Sequence, residues 1–101
     1  MEDKERVIDI EPRHEKILKE ILEKYLSNKT VWAYGSRVKW TATKVSDLDL
    51  TVFGASEKQI YDAKEVFEES SLPFRVSLMA WEDMPEEFKD NIREKYVVLI
   101  P

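Results

Sequence analysis

Residues 30–53 read TVWAYGSRVKWTATKVSDLDLTVF, and their pattern settles most of what the chain can become. Thr30, Val31, Trp32, Ala33 and Tyr34 set β-branched and aromatic residues around one alanine, the composition of a strand. Over residues 47–53, Leu48, Leu50 and Val52 alternate with Asp47, Asp49 and Thr51, and a period of two predicts a second, half-buried strand. The connection between them is too short for a full crossover helix, so a mixed or antiparallel sheet is expected. The alternation also poses a problem. Residues two apart on a strand point to the same side, so Asp47 and Asp49 project together, and like charges this close repel.

Working outward, Pro12 suits a helix start, and His14, Ile17, Leu18, Ile21, Leu22 and Tyr25 keep helical spacing up to an end near Ser27 and Asn28. Residues 1–10 are expected to form a loosely packed N-terminal arm, from which Val7, Ile8 and Ile10 can reach the body. Downstream, Gly54 stops the second strand. Ser56 and Gln59 have capping-box spacing for a helix running to about Glu69, with Ile60, Ala63 and Phe67 facing inward. Pro73 breaks the chain before a third strand, FRVSLM, at residues 74–79. Asp83 and Glu86 are placed to cap a third helix with Pro85 in its first turn and Met84, Phe88 and Ile92 on one face. YVVLI at residues 96–100 closes the chain as a buried strand or a docking edge. The expected fold class is α/β (α+β): a small mixed sheet packed by about three helices, in a single domain over residues 1–101.

Hydrophobic residues make up 43% of the chain and charged residues 37%, which fits a heavily solvated globule. No apolar run approaches the ~20 residues that span a bilayer. The charged start MEDKER has no hydrophobic segment behind it, so a cytoplasmic protein without membrane contact is expected. Cysteine is absent, which removes thiolate metal sites and thiol nucleophiles. A net charge of −5 argues against direct nucleic-acid binding, because polyphosphate affinity needs clustered Lys and Arg. A small nucleotide chelated by a metal is compatible with it.

Two adjacent carboxylates are stabilised by a cation, and hard oxygen ligands suit Mg²⁺ or Mn²⁺, which bridges to substrate phosphates. Gly35-Ser36 follows a strand directly; glycine permits close backbone approach, and amides at a helix start favour phosphate. Arg37, Lys39 and Lys44 add positive charge between the two halves. Together they describe a phosphate cradle facing a metal platform. Taken alone, an Asp-x-Asp is also what a solvated strand face carries, and Ser36 is also a good helix N-cap. His14 reads as a packing residue, Trp32 and Trp81 as core, and Trp40 as loop packing, partner surface or lid.

Gly35-Ser36, ten further residues, then Asp47-Leu48-Asp49 resembles the motif of the nucleotidyltransferase superfamily to which DNA polymerase beta belongs. The small size, the opening TVWAYGSR and the closing REKYVVLIP look like the stand-alone minimal nucleotidyltransferases of HEPN/MNT toxin–antitoxin pairs. The resemblance runs over nearly the whole chain and implies a nucleotidyltransferase fold. It further implies that Gly35, Ser36 and Arg37 contact the triphosphate of ATP or another NTP, and that Asp47 and Asp49 are the catalytic metal ligands for Mg²⁺ or Mn²⁺. The implied partner is a HEPN-domain ribonuclease toxin in a hetero-oligomer, neutralised by transfer of AMP onto one of its tyrosines. The family pattern adds a third carboxylate on the following strand, within a run resembling Arg-Val-Asp-Leu. This chain has Arg75-Val76-Ser77-Leu78, which puts Ser77 at the expected aspartate. By the resemblance, the third carboxylate helps hold the metal that activates the incoming hydroxyl, and in many members it is the base. A serine hydroxyl is a weak neutral ligand and a poor base, so loss of the base alone would slow transfer by roughly 10²–10⁴-fold. Glu82 and Asp83 are the carboxylates nearest in sequence to stand in. Two readings therefore stay open: an antitoxin that adenylylates its partner, and a catalytically degenerate module that neutralises it by stoichiometric binding. A transferase acting on a small hydroxylated molecule such as an aminoglycoside is the third, and enzymes of that kind usually carry an additional substrate domain.

Overall fold

A computed structural model describes residues 7–101, so expectations placed on residues 1–6 lie outside the described residues. Pro12 opens helix α1, Pro12–Leu26, whose Leu18, Ile21, Leu22 and Leu26 form one buried stripe. Asn28, at φ 68°, turns the chain into strand β1, Thr30–Tyr34. A short helix, α2, Ser36–Lys39, follows at once, and β2 spans Leu48–Phe53. Helix α3, Glu57–Glu69, starts with the predicted capping box: the Gln59 amide donates to Ser56 Oγ at 3.1 Å, and the Ser56 amide donates to Gln59 Oε1 at 2.9 Å. Strand β3, Val76–Ala80, runs into a 3-10 turn, Trp81–Asp83; then come helix α4, Glu86–Glu94, and strand β4, Val97–Ile100.

The sheet has the order β3-β2-β1-β4 and is mixed, as expected. β1 is antiparallel to both β2 and β4, whereas β2 is parallel to β3. Connection length explains the difference: α3 supplies the crossover that parallel neighbours require, and the β1–β2 connection holds only the short α2. Among the described residues, four α-helices, one of them a single turn, stand where about three were expected.

Strand parity divides the molecule into layers. Val31, Ala33, Leu48, Leu50, Val52 and Leu78 point to one face and share a core with Leu18, Leu22, Ala63 and Phe67 of α1 and α3. Full burial of each such aliphatic side chain contributes about 1.5–3 kcal/mol. The opposite face carries Trp32, Tyr34, Asp49, Thr51 and Ser77. There Tyr34, Met84 and Ile92 form a second cluster flanked by Trp32 and Trp81. Trp32 stacks on Tyr96 with centroids 3.8 Å apart and meets Trp81 edge-on at 5.4 Å. Both tryptophans thus belong to an aromatic cluster under α4, outside the main core.

Several local expectations are corrected. Ile8 and Ile10 are 1% and 3% exposed, and the Asp9 amide donates to the Arg37 carbonyl at 2.7 Å, so residues 8–10 pack against the body while Val7 stays exposed. Apolar burial plus a backbone hydrogen bond outweighs the polar look of that segment. Asp47 is exposed and precedes β2, which starts at Leu48. The third helix of the sequence reading starts two residues late: Pro85, not Asp83, is its N-cap, and residues 81–83 form a separate turn. Met84 is extended at φ −87° and ψ 145°, the conformation that a following proline enforces. Neither Asp83 nor Glu86 caps that helix. Among the described residues, no helix is long and apolar enough to cross a membrane.

Thr51 is fully buried, and among the described residues its Oγ1 has no hydrogen-bond partner. An unsatisfied buried hydroxyl costs about 1–3 kcal/mol. Thr51→Val is therefore expected to stabilise the fold by ~1 kcal/mol, read as a higher urea midpoint at unchanged m-value.

Candidate functional site

The site is built where β1 ends. Gly35 has φ 84° and ψ −158°, a backbone region essentially restricted to glycine. The antiparallel register sets Tyr34 directly opposite Asp49. A Cβ on Gly35 would overlap Asp49 Oδ2 and lie 3.3 Å from Asp49 Cγ. The bare Cα is what lets the carboxylate rest against the turn.

Asp49 is partly buried, and its carboxyl pKa is raised, first by burial and then by the charge of Asp47. The structure thus brings Asp47 close enough to Asp49 for the two charges to oppose each other, which is the problem posed by the sequence alternation. A cation beside them would relieve both causes at once. The donor set fits one hard divalent ion with open positions for water or phosphate oxygens. Among the described residues, no group of three or more metal-ligating side chains is assembled.

Asp49 is the middle of a row across three strands. Tyr34 faces it on β1, and Ser77 faces it on β3 in parallel register. Burial, and then the charge of Asp49, push the Tyr34 phenol up to about 12. Tyr34 is a site residue that sequence reasoning missed. Its signal was present: it immediately precedes Gly35 on a strand expected to pair with the Asp-x-Asp strand, but the register was needed to use it. Ser77 lies on the edge strand. Neither nearby carboxylate joins this row. Glu82 Oε2 accepts the Gly54 amide at 2.8 Å, and Asp83 lines a cleft with Tyr61 and Met79 beside α3.

Ser36 is the first residue of α2 and Gly35 is the N-cap, so the Ser36 hydroxyl does not sit in the capping position. α2 is one turn long, so phosphate affinity there would come from local N–H groups with little help from a helix dipole. The Arg37 guanidinium donates to the backbone carbonyls of Asp9, Thr43, Lys44 and Ser46, so these donors point into the chain's own backbone. Lys39 and Lys44 are exposed, and Trp40 is 49% exposed with φ 62°. His14 meets the Phe74 ring edge-on at 5.9 Å, a packing role.

The sequence profile of the family described as polymerase beta, nucleotidyltransferase, matches residues 15–101. The chain belongs to this nucleotidyltransferase family. It is 42% identical over 95 residues to a Haemophilus influenzae protein described as a probable protein adenylyltransferase, MntA, covering 91% of this chain and 83% of that protein. A crystal structure described as that of a nucleotidyltransferase superposes with a TM-score of 0.52 at 22% identity, covering 86% of this chain and 98% of the other. That likeness is one of fold. The polymerase-beta-like fold accounts for why the glycine turn and the Asp-x-Asp lie side by side: they close one antiparallel strand pair. In this nucleotidyltransferase chain, Gly35→Ala forces a Cβ into the Asp49 carboxylate and loses a glycine-only conformation. It is expected to cost about 1–3 kcal/mol, measured by urea unfolding, and to displace Asp49 in a structure of the variant.

Proposed function

We propose that this chain binds ATP, or another nucleoside triphosphate, with one Mg²⁺ or Mn²⁺ ion and passes the nucleotidyl group to a hydroxyl of a protein partner. The partner is a HEPN-domain toxin, which the chain neutralises in the cytoplasm as an antitoxin. The observation that carries this reading is the contact of the Gly35 turn with Asp49, which joins a phosphate-facing backbone to a carboxylate pair. The 42% identity to a relative described as a protein adenylyltransferase supports a protein as acceptor.

In this reading, backbone N–H groups at Gly35 and Ser36 receive the triphosphate, and Asp47 and Asp49 hold the cation. The bound cation supplies charge neutralisation at the phosphoryl oxygens. Tyr34 keeps its proton and offers an O–H beside Asp49. The acceptor oxygen forms a bond to the α-phosphorus, the bond to pyrophosphate breaks, and the hydroxyl proton leaves to solvent. Ser77 favours a second reading. It stands opposite Asp49 where the family pattern has a carboxylate, and Glu82 is committed to Gly54. On that reading, the chain keeps the nucleotide site and neutralises its partner by occupying it.

Incubation with ATP labelled at the α-phosphate, Mg²⁺ and the co-expressed partner separates the two. On the first reading, label moves to the partner, and Asp47→Asn or Asp49→Asn lowers transfer by ~10²-fold or more, because a catalytic cation is worth several kcal/mol. No label from the unmodified protein, with complex formation intact in both variants, establishes stoichiometric binding. Ser77→Asp adds a carboxylate beside Asp49 and is expected to tighten Mn²⁺ binding; unchanged affinity would show that position 77 does not face the cation.

A further inference from the structure

The residues that carry Asp47 are irregular and gain nothing from the β2 ladder, whose first bond there is from the Leu48 amide to the Arg75 carbonyl at 2.9 Å. Alongside local hydrogen bonds between Thr43 and Ser46, one side chain from outside the loop holds them. Arg37 is 5% exposed. Its Nε donates to the Ser46 carbonyl at 3.0 Å, one Nη to the Asp9 carbonyl at 2.7 Å, and the other Nη to the carbonyls of Thr43 and Lys44 at 3.3 and 3.2 Å. The guanidinium carbon lies 4.2 Å over the centre of the Phe74 ring. Burying a cation is costly unless it is fully hydrogen-bonded, and here carbonyl dipoles and a ring face meet it. The fork of planar donors is peculiar to arginine: a lysine ammonium has three donors on one atom and cannot span carbonyls this dispersed.

The position of this clamp is what gives it a consequence. Arg37 directly follows Ser36 of the glycine turn, and Ser46 directly precedes Asp47. One guanidinium therefore ties the chain just after the phosphate-facing turn to the chain just before the exposed carboxylate. The Thr43 amide, which donates to Ser46 Oγ at 2.9 Å, tightens the same loop. We propose that Arg37 is the positioning residue of the carboxylate pair: through the carbonyls of residues 43–46 it fixes the direction of Asp47 relative to Asp49, touching neither cation nor nucleotide. This rests on the reading of Asp47 and Asp49 as a cation site. Groups that orient metal ligands without touching the metal typically control 10–100-fold of its affinity.

The test compares the unmodified chain with Arg37→Lys and Phe74→Leu by two measurements: Mn²⁺ binding followed by the electron paramagnetic resonance of the free ion, and amide hydrogen exchange without metal. Arg37→Lys is expected to raise the Mn²⁺ dissociation constant by about 10–100-fold and to speed exchange over residues 43–47, with α1 and α3 still protected. Phe74→Leu keeps the guanidinium but removes the ring beneath it, and gives a smaller change in the same direction even if the lysine variant fails to fold. Ile21→Val, a core lesion in α1 outside the loop, is expected to lower the melting temperature and leave both readouts unchanged; a loss of Mn²⁺ affinity in this variant would make the role of Arg37 one of general stability. Unchanged Mn²⁺ affinity in folded Arg37→Lys, or unchanged exchange over residues 43–47, overturns the inference and leaves the cation site standing. If the unmodified chain binds Mn²⁺ no better than Asp49→Asn, the cation site itself falls, and the positioning role with it.

Discussion

The close approach of the Gly35 Cα to the Asp49 carboxylate is the constraint on which the rest of the site depends. It follows from three conditions acting together. The antiparallel register sets Tyr34 opposite Asp49, the chain leaves β1 in a conformation that only glycine adopts comfortably, and the missing Cβ leaves room for the carboxylate. Remove any one, and the glycine turn and the acidic pair are separate surface features. With all three, they lie side by side at the end of one strand pair.

That corner is electrostatically expensive. Asp49 is partly desolvated and feels Asp47, and its raised pKa records both costs. A marginally stable small fold tolerates such a pair because the opposite face of the sheet is packed with aliphatic side chains against α1 and α3. Strand parity divides β2: Leu48, Leu50 and Val52 pack in the core, and Asp49 between them points to the other face. Thr51 shows the boundary of that freedom. It shares the functional face yet lies fully buried, next to an aromatic cluster that can offer its hydroxyl little.

The row Tyr34–Asp49–Ser77 also places the departure from the family pattern in space. Ser77 lies on the edge strand, and the nearby carboxylates are engaged elsewhere: Glu82 secures the end of β2, and Asp83 lies in the cleft beside α3. Neither of these carboxylates therefore takes the place beside Asp49 that Ser77 occupies. Arg37 makes the complementary point. A basic residue beside a phosphate motif reads as a phosphate ligand, yet its donors are taken up by backbone carbonyls.

Much of this was legible in the sequence. Strand and helix identities, the capping box at Ser56 and Gln59, the mixed sheet and the pairing of Gly35-Ser36 with Asp47-Leu48-Asp49 all rest on local periodicity and turn chemistry, which the chain encodes within a few residues. What only the tertiary structure decided depends on residues distant in sequence. The register made Tyr34 and Ser77 neighbours of Asp49, and the second cluster under α4 drew Trp32 and Trp81 away from the main core. The carbonyls of Asp9, Thr43, Lys44 and Ser46 took up the Arg37 guanidinium. The physical reason is common to these cases. Periodicity shows which way a side chain points from its own strand or helix, but the partner that meets it is set by packing between elements, and a charged group's role is fixed by that partner.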